Sequence, residues 1–445
     1  MDAMAETQSR EMTGAEMVVR ALVDNGVTDI FGYPGGAVLP IYDELFQQDE
    51  VRHVLVRHEQ GAGHAAEGYA RSTGKTGVML VTSGPGATNA VTALQDALMD
   101  SIPLVCISGQ VPTTLIGSDA FQECDTVGIT RPCTKHNWLV KDVNDLSRIL
   151  HEAFLVARTG RPGPVVVDVP KDVQFATGIY SSPPPTRTHE SYQPRLSPER
   201  ERIAAAVAML AGAKRPMIYS GGGVINSGPE ASRLLREFVE MTGFPITSTL
   251  MGLGAYPASG KSWLGMLGMH GTYEANLAMH GCDVMLCIGA RFDDRITGRL
   301  DAFSPGSRKI HIDIDPSSIN KNVRVELPII GDVGHALKDM IAEWKSVGAV
   351  VDRSAMAAWW GEIETWKARN CLAYRPHEDV IMPQYAVQRL YEATKHRETY
   401  VSTEVGQHQM WAAQYLGFED PNRWMTSGGL GTMGYGVPAS IGAQV

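Results

Sequence analysis

One glutamate occupies a position at which an α/β protein places working groups. Glu59 follows the apolar residues 54–56 and the polar pair Arg57 and His58, and it precedes a run of small residues that extends to Ala70. This pattern predicts a short buried strand, a turn and a helix. Open α/β sheets bind ligands at the carboxyl ends of their strands. Glu59 is therefore either a group that faces a cleft or an N-terminal charge that the helix dipole favours.

Glycine-rich turns offer a second kind of chemistry, because their backbone N–H groups can approach an anion at a helix N-terminus. Residues 82–89, 221–223 and 429–434 each follow a predicted strand. The last of these matches GxGxxG, yet no acidic ribose partner can follow about 20 residues later. The middle turn suits a nucleotide better, since Asp313 and Asp315 end a later predicted strand and fit ribose hydroxyls. A helix cap or a simple turn explains the spacing of these two acids equally well.

A charged segment follows another apolar run. Residues 291–295 place two aspartates between two arginines. Such a cluster is either a surface salt-bridge network, which contributes little, or a clamp for phosphate and carboxylate groups. Its place at the end of a predicted strand favours the clamp.

Helix and strand patterns alternate along the chain and must position these groups. The rhythm is typical of parallel sheets covered by helices, and it predicts three consecutive parallel-sheet α/β units, the third incomplete. The same pattern predicts the domain boundaries. They are a first α/β domain at 12–182, a proline-bearing linker at 183–198, a central α/β domain at 199–345, a connecting segment at 346–382 and the start of a third domain at 383–445.

Composition excludes several classes of protein. The net charge of −10 (39 − 49) without a basic cluster argues against binding of nucleic acid. The six cysteines form no CxxC pair, which indicates reduced thiols rather than a disulfide frame or a zinc site. His58 and His64 lie on different faces of a helix and cannot share a zinc ion. The sequence shows neither a signal core nor a membrane span, and it predicts a cytoplasmic protein.

Seven short motifs belong together in this sequence. They are FGYPGG at 31–36, RHE at 57–59, TSGPG at 82–86, GSDAFQE at 117–123, LGMHG at 267–271, RFDDR at 291–295 and VGQHQMW at 405–411. Together they resemble the large catalytic subunit of the acetohydroxyacid synthase (acetolactate synthase) family, within the thiamine diphosphate enzymes. The similarity extends from about Met12 to Val445.

The resemblance implies a reaction. Pyruvate is decarboxylated on thiamine diphosphate, and the enamine condenses with a second 2-oxo acid, pyruvate or 2-oxobutyrate. The products are 2-acetolactate or 2-aceto-2-hydroxybutyrate, in the first common step of valine, leucine and isoleucine biosynthesis. Glu59 would hydrogen-bond N1′ of the aminopyrimidine, whose own nitrogen then takes the C2 proton. The implied cofactors are thiamine diphosphate, magnesium and a structural, non-redox FAD.

The resemblance also assigns site residues. The catalytic residues would be Glu59, Gln122 and Lys171, and the substrate channel would include Gly36, Phe121 and Arg295. Thiamine diphosphate would contact Glu59, Pro34, Gly35, Gly84, Asn89, Val405, Gly406, Gln407, His408, Gly431 and Met433. FAD would contact Arg161, Gly221, Gly222, Gly223, Thr249, Leu250, Met251, Leu267, Gly268, Met269, His270, Gly289, Arg291, Asp293, Arg295, Asp313 and Asp332.

One departure from the family pattern concerns the metal. The magnesium ligands of the family would lie beyond Val445, so we expect no metal ligand in this sequence, and we expect a truncated chain. The implied partners are 2-oxo acids, a second copy of the chain in a homodimer with the active site between subunits, and a small regulatory subunit.

Three alternatives stay open from the sequence. The first is another thiamine diphosphate 2-oxo acid decarboxylase or oxidase; glyoxylate carboligase lacks the glutamate, so Glu59 argues against that enzyme. The second is an inactive flavin-binding fragment, because the magnesium ligands are missing. The third is an NAD-dependent dehydrogenase, which the GxGxxG match alone suggests.

Overall fold

A computed structural model describes residues 9–182, 189 and 191–445 of the chain. These residues form two compact units. Unit 1 contains the described residues up to Gln193 together with Ser427–Val445, and unit 2 contains Pro194–Thr426. Residues 183–188 and 190 of the predicted linker lie outside the described residues. The domain boundaries predicted from the sequence stay a prediction.

Unit 1 alternates strands and helices. Its strands are β1 (Ser9–Thr13), β2 (Asp29–Gly32), β3 (Arg52–Leu55), β4 (Gly77–Val81), β5 (Leu104–Gln110), β6 (His136–Leu139), β7 (Pro164–Pro170) and β8 (Thr177–Ser181). Its helices before residue 193 are α1 (Gly14–Asp24), α2 (Leu39–Phe46), α3 (Glu59–Thr73), α4 (Pro85–Asp100), α5 (Thr126–Thr130), α6 (Val143–Arg158) and α7 (Lys171–Phe175).

The main sheet of unit 1 has six parallel strands in the order β3-β2-β4-β5-β7-β6, while β1 and β8 form a separate antiparallel pair. Alternate residues of each strand enter different cores. On β5, Val105 and Ile107 join the cluster that includes α1 and α6, whereas Leu104 and Cys106 join the cluster that includes α3 and α4. Helices therefore cover both faces of this sheet.

The strand before Glu59 is not the buried strand that residues 54–56 predict. β3 spans Arg52–Leu55 at the edge of the sheet, and Leu55 is 51% exposed. That expectation is wrong, because an apolar run of three residues cannot distinguish an edge strand from a central one.

Unit 2 contains the remaining strands and most of the remaining helices. The strands are β9 (Pro216–Ser220), β10 (Ile246–Ser248), β11 (Trp263–Met266), β12 (Val284–Ile288), β13 (Arg308–Asp313), β14 (Leu327–Ile330), β15 (Val401–Ser402) and β16 (Trp424–Met425). The helices are α8 (Arg200–Ala211), α9 (Gly222–Asn226), α10 (Pro229–Thr242), α11 (Tyr273–Gly281), α12 (Asp294–Thr297), α13 (Val333–Ser346), α14 (Arg353–Lys367), α15 (Pro383–Thr394) and α16 (Gln407–Tyr415).

The large sheet of unit 2 is also parallel, with the order β11-β10-β9-β12-β13-β14. Counted along the chain this order is 3-2-1-4-5-6, the order of dinucleotide-binding folds. β15 and β16 form a separate parallel pair. The parallel α/β class predicted from the sequence is confirmed.

The last helix, α17 (Gly436–Gln444), belongs to unit 1 and packs on α3. The two backbones come into direct contact. A Cβ atom on Gly68 would lie 2.0 Å from the Ala439 carbonyl oxygen, and one on Gly442 would lie 1.8 Å from that of Ala65. Only glycine fits at these two positions. Across the described ranges, no helix combines the length and the apolar character needed to span a bilayer.

Candidate active site

Glu59 is the first residue of α3, directly after the turn that follows β3. The helix begins there because His58 caps it, with imidazole Nδ1 accepting the Gln60 N–H at 3.1 Å. Glu59 is only 7% exposed. Its Oε2 accepts a hydrogen bond from Asn89 Nδ2 at 3.0 Å. The sequence interpretation of a carboxylate between strand and helix therefore holds, although the strand is an edge strand.

The turns after β2 and β4 build a cradle beside this carboxylate. In the sheet order these two strands mark the switch point, where open α/β sheets bind ligands. A Cβ atom on Gly35 would lie 2.5 Å from the Thr82 side chain, and one on Gly86 would lie 3.5 Å from Glu59 Oε1. Gly84 has a φ of +56°. The turns thus need glycine both for close approach and for backbone conformation.

This geometry fits an aminopyrimidine. One oxygen of the Glu59 carboxylate is held by an amide donor, and the other lies beside a glycine that presents no side chain. Such an arrangement accepts a hydrogen bond from a ring N–H. Five of the residues assigned to thiamine diphosphate lie at or beside this edge of the sheet. They are Pro34, Gly35, Glu59, Gly84 and Asn89.

The loop that carries Phe121 and Gln122 reaches the same place. Gln122 has a φ of +60°, and a Cβ atom on Gly84 would lie 2.7 Å from its carbonyl oxygen. The Phe121 side chain is 89% exposed. The structure therefore brings Gln122 next to the cradle.

A buried glutamine joins the turn after β2 to the end of β7. Gln174 Nε2 donates to the carbonyl oxygens of Ala37 and Val169, both at 2.8 Å. Gly36 precedes the first of these residues, and Lys171 begins α7 directly after β7. Gly36 and Lys171, two predicted substrate residues, therefore lie at the same end of the sheet.

In unit 2, the predicted flavin glycines pack two turns against each other at the switch point between β9 and β12. A Cβ atom on Gly221 would lie 2.3 Å from the Gly289 carbonyl oxygen, and one on Gly223 would lie 2.7 Å from Gly289 Cα. The Gly223 N–H also donates to Gly289 O at 3.0 Å. These glycines have a packing role whether or not phosphate groups bind near them.

Several predicted flavin residues accept hydrogen bonds from backbone N–H groups a few residues away. Asp332 caps α13 by accepting the His335 N–H at 3.2 Å, and Thr249 caps a 3-10 turn formed by Leu250–Gly252. Asp313, which ends β13, accepts the Asp315 N–H at 2.8 Å. Leu250 and Met251 lie in that 3-10 turn, and residues 267–270 form the loop before α11.

The arginines of the charged segment pair within the segment. Arg291 lies 3.2 Å from Asp293, and Arg295 lies 3.3 Å from Asp294 on an exposed surface. Pairs as exposed as the second contribute little stability. Arg161 lies in unit 1, where its guanidinium donates to Ser101 Oγ at 2.8 Å and to the Leu98 carbonyl oxygen, which caps the end of α4.

The remaining predicted cofactor residues belong to two places. The first place is the start of α16 in unit 2, with Val405 and Gly406 directly before the helix and Gln407 and His408 as its first residues. Gly406 has a φ of +148°. Gly431 and Met433 belong to unit 1, where the Met433 side chain is 77% exposed.

Comparison with known sequence families finds three matches along the chain. Residues 12–129 match the N-terminal thiamine pyrophosphate (thiamine diphosphate) binding domain, residues 203–340 the central domain, and residues 404–445 the C-terminal binding domain of thiamine pyrophosphate enzymes.

Among curated proteins, the chain is 51% identical over 435 residues to the acetolactate synthase isozyme 3 large subunit of Escherichia coli, covering 98% of this chain and 75% of that protein. The chain belongs to the acetolactate synthase family. It is 50% identical to the large subunit of Haemophilus influenzae (98% and 76% covered) and 49% identical to the acetolactate synthase of Mycobacterium bovis (98% and 70% covered). The family predicted from the motifs, and its dependence on thiamine diphosphate, are confirmed.

The first part of unit 1 contains a buried polar cluster that the sequence interpretation missed. His64 Nδ1 lies 3.0 Å from Glu67 Oε1 on α3, and both side chains are inaccessible to solvent. From α4, Asp96 accepts the Ser427 hydroxyl at 2.5 Å and the Thr432 hydroxyl at 3.3 Å. Asp96 thus joins Ser427 and Thr432 to α4 within unit 1. A signal was present in the sequence, since acidic residues occur inside helices that are otherwise rich in small residues.

A second part of the cluster pairs charges. Asp100 accepts the N–H groups of Gly428 and Gly429 at 2.8 and 2.7 Å, and Arg71 donates to it at 2.7 Å. The Arg71 guanidinium also lies 5.7 Å from the centre of the Tyr435 ring. The Asp100 charge is thus balanced by one cation and two amide donors.

Glu67 and Asp96 are carboxyl groups with incomplete hydrogen bonding. Glu67 Oε2 and Asp96 Oδ2 are buried and accept no hydrogen bond from the described residues, and a buried carboxylate oxygen without a donor favours the protonated form of its group. Burial raises the pKa of both carboxyl groups well above the ordinary range, and the mutual repulsion of the carboxylates raises that of Asp96 further. The carboxylates and His64 lie within 4.8 Å of one another, but the retained proton explains the arrangement, and we assign no metal to it.

We expect the contribution of Glu67 to the stability of the chain to fall as the pH rises above about 4, the ordinary pKa of glutamate. The reason is that folded Glu67 keeps a proton that the unfolded chain releases. Glu67→Gln removes this titration and should flatten the fall in the urea midpoint between about pH 5 and pH 9. Glu50→Gln, at an exposed glutamate of the same unit, should leave the pH profile unchanged. Equal pH dependence of the Glu67→Gln variant and the unsubstituted chain would contradict this assignment.

Proposed function

We propose that this chain forms 2-acetolactate from pyruvate and that Glu59 is its working carboxylate. The observation that carries the proposal is the state of this side chain. It is buried at the switch point, one oxygen accepts the Asn89 amide, and the other faces a glycine turn. Among the alternatives, an NAD-dependent dehydrogenase has no support from the family matches.

The residues proposed to bind thiamine diphosphate then have separate roles. Thiamine diphosphate, when bound, supplies the nucleophilic carbon and the electron sink. Glu59 Oε1 accepts a hydrogen bond from the N1′ position of the aminopyrimidine, while Asn89 holds Oε2 and fixes the carboxylate plane. Gly35, Gly84 and Gly86 leave room for the ring. In unit 2, taken by itself, the start of α16 with residues 405–408 suits a diphosphate because N-terminal amides of a helix stabilise anions. In unit 1, Gly431 and Met433 are further proposed contacts of the cofactor.

The substrate side is built from the neighbouring turns. Lys171 supplies a cation for the carboxylate of the 2-oxo acid, and Gly36 leaves space beside it. Gln122 offers an amide for the keto oxygen, and Phe121 supplies an apolar wall that excludes water. Arg295 is a further proposed partner of a substrate carboxylate. Pyruvate and 2-oxobutyrate both fit this set, because each presents a carboxylate, a keto group and a small alkyl group.

FAD is proposed to bind unit 2 in a structural role. The 3-2-1-4-5-6 strand order places the turns of Gly221 and Gly289 beside the switch point, and Asp313 ends the next strand. Arg291 and Asp293 follow the same edge and supply charged groups for phosphates and hydroxyls. The proposal extends to the other residues assigned to FAD from the sequence.

Magnesium and the partners are proposed on the family alone. The acids nearest residues 428–432, Asp96 and Asp100, are engaged by hydroxyl and amide donors, so they do not fit a magnesium site and we assign no ligand within this chain. The named relatives are large subunits. We propose a homodimer and a small regulatory subunit as partners. A cytoplasmic location agrees with the six cysteines, all of which are free thiols.

The first prediction from the proposed function concerns catalysis. With thiamine diphosphate, magnesium and FAD supplied, the chain should form acetolactate from pyruvate, and Glu59→Gln should lower kcat by about 10²-fold or more, because general acid–base assistance contributes that much. The amide keeps the size of the side chain and its acceptor for Asn89. Glu50→Gln is the matched control and should keep full activity. Activity of the Glu59→Gln variant equal to that of the unsubstituted chain would contradict the proposed role.

The second prediction concerns flavin. Asp313→Asn should weaken FAD binding by roughly tenfold, the cost of one hydrogen bond to a charged group. The measurement is flavin absorbance retained after gel filtration, with Asp301→Asn at an exposed site as the control. Bound flavin should also stay oxidised when pyruvate is added. Bleaching by pyruvate would instead indicate an oxidase, and unchanged FAD retention in Asp313→Asn would remove this residue from the site.

A further inference from the structure

The loop that carries Phe121 and Gln122 has an unusual backbone. We call residues 117–123 the channel loop; it lies between β5 and α5. Asp119 and Gln122 have φ values of +57° and +60°, although neither is glycine. A residue other than glycine is strained in this region, and such a conformation persists only where the surroundings hold it. The channel loop therefore needs a specific restraint.

That restraint comes from the last residue of the loop. Glu123 Oε1 accepts the N–H of Gly117, and Glu123 Oε2 accepts the N–H of Ala120 at 3.0 Å. The Glu123 N–H in turn donates to the Ala120 carbonyl oxygen at 3.0 Å. One side chain thus joins the beginning, the middle and the end of the loop.

The charge of Glu123 is suited to this part. The amide of Gly117, and then that of Ala120, lower the pKa of the carboxyl group, so the group is ionised at neutral pH. An ionised carboxylate offers two acceptor oxygens, and hydrogen bonds to a charged acceptor are about twice as strong as neutral ones. Glutamine has one acceptor oxygen in the same position and can keep only one of the two bonds.

Other contacts hold the loop at two further places, directly after its last residue and at Gln122. Gln110 Nε2 donates to the Cys124 carbonyl oxygen at 2.8 Å and to Asp168 Oδ2 at 2.9 Å, which ties the chain after the loop to β5 and β7. The Gln122 backbone lies against Gly84. Near the start of the loop, the Ser118 hydroxyl and N–H donate to the Leu115 carbonyl oxygen at 2.6 and 3.1 Å. Glu123 is the side chain that joins the start of the loop to Ala120 and to the end of the loop.

We propose that Glu123 is a positioning residue whose carboxylate holds the channel loop in the conformation that presents Phe121 and Gln122 to the 2-oxo acid. The inference rests on the proposed function, in which these two side chains line the substrate channel. Glu123 itself contacts neither substrate nor cofactor in this account. It acts through the backbone of the loop.

The test uses the full chain with its cofactors and three variants, Glu123→Ala, Glu123→Gln and the control Glu50→Ala. Amide hydrogen exchange at Gly117 and Ala120 should accelerate strongly in Glu123→Ala, less in Glu123→Gln and not at all in the control. The value of kcat/KM for pyruvate should follow the same order, with a loss of roughly 10²-fold in Glu123→Ala, the cost of a misplaced substrate contact. Thiamine diphosphate affinity should stay unchanged, because Glu59 and Asn89 are untouched.

Two results would overturn the inference. One is unchanged exchange of the two amides in Glu123→Ala. The other is accelerated exchange with kcat/KM unchanged, which would show that the loop conformation does not matter to the reaction. If the unsubstituted chain forms no acetolactate, the proposed function has failed, and the exchange measurement then decides by itself whether Glu123 holds the loop.

Discussion

A buried carboxylate with one bonded oxygen and one open oxygen is the constraint on which the site of unit 1 depends. Removing an ionised carboxylate from water is costly unless donors replace the solvent. For Glu59 the donors are the Asn89 amide and the positive end of the α3 dipole. The second oxygen lies beside Gly86, which presents no side chain to it. In the proposed function, a ring N–H of the cofactor would be the donor to this oxygen.

The surrounding elements follow from that requirement. Helix α3 must begin at Glu59, which the His58 cap ensures, and α4 must begin close enough for Asn89 to reach it. The same two helices carry the buried cluster that receives residues 427–435. Glu67 and Asp96 use a retained proton where Asp100 uses Arg71 and amides. The two helices therefore hold the residues of the proposed site near their beginnings and structural polar groups further along.

Local sequence pattern predicted much of this fold. The alternation of strands and helices in parallel sheets is as the sequence predicts, and the helix after Glu59 begins where its pattern changes. The motifs also identified the family. Contacts between residues far apart in the sequence could not be predicted. Strand order made β3 an edge strand, and nothing local to residues 54–56 indicates which strands lie beside them.

The same limit applies to the candidate site. The spacing of Glu59 and Asn89 along the chain does not reveal their hydrogen bond, and the association of residues 427–445 with α3 depends on glycine contacts between distant helices. Asp313 and Asp315, at the end of a strand, were open to two interpretations. In the structure Asp315 caps a 3-10 turn, and Asp313 accepts the Asp315 N–H. Whether any of the predicted flavin residues also binds a cofactor stays a prediction.

The central claim is that Glu59 promotes proton loss from the cofactor through a hydrogen bond to its pyrimidine ring. The most direct measurement is the rate of hydrogen–deuterium exchange at C2 of thiamine diphosphate bound to the chain, compared between the unsubstituted form and Glu59→Gln. The account predicts exchange faster than in free thiamine diphosphate, and slower by about 10²-fold or more in Glu59→Gln. Equal exchange rates in the two bound forms would contradict it.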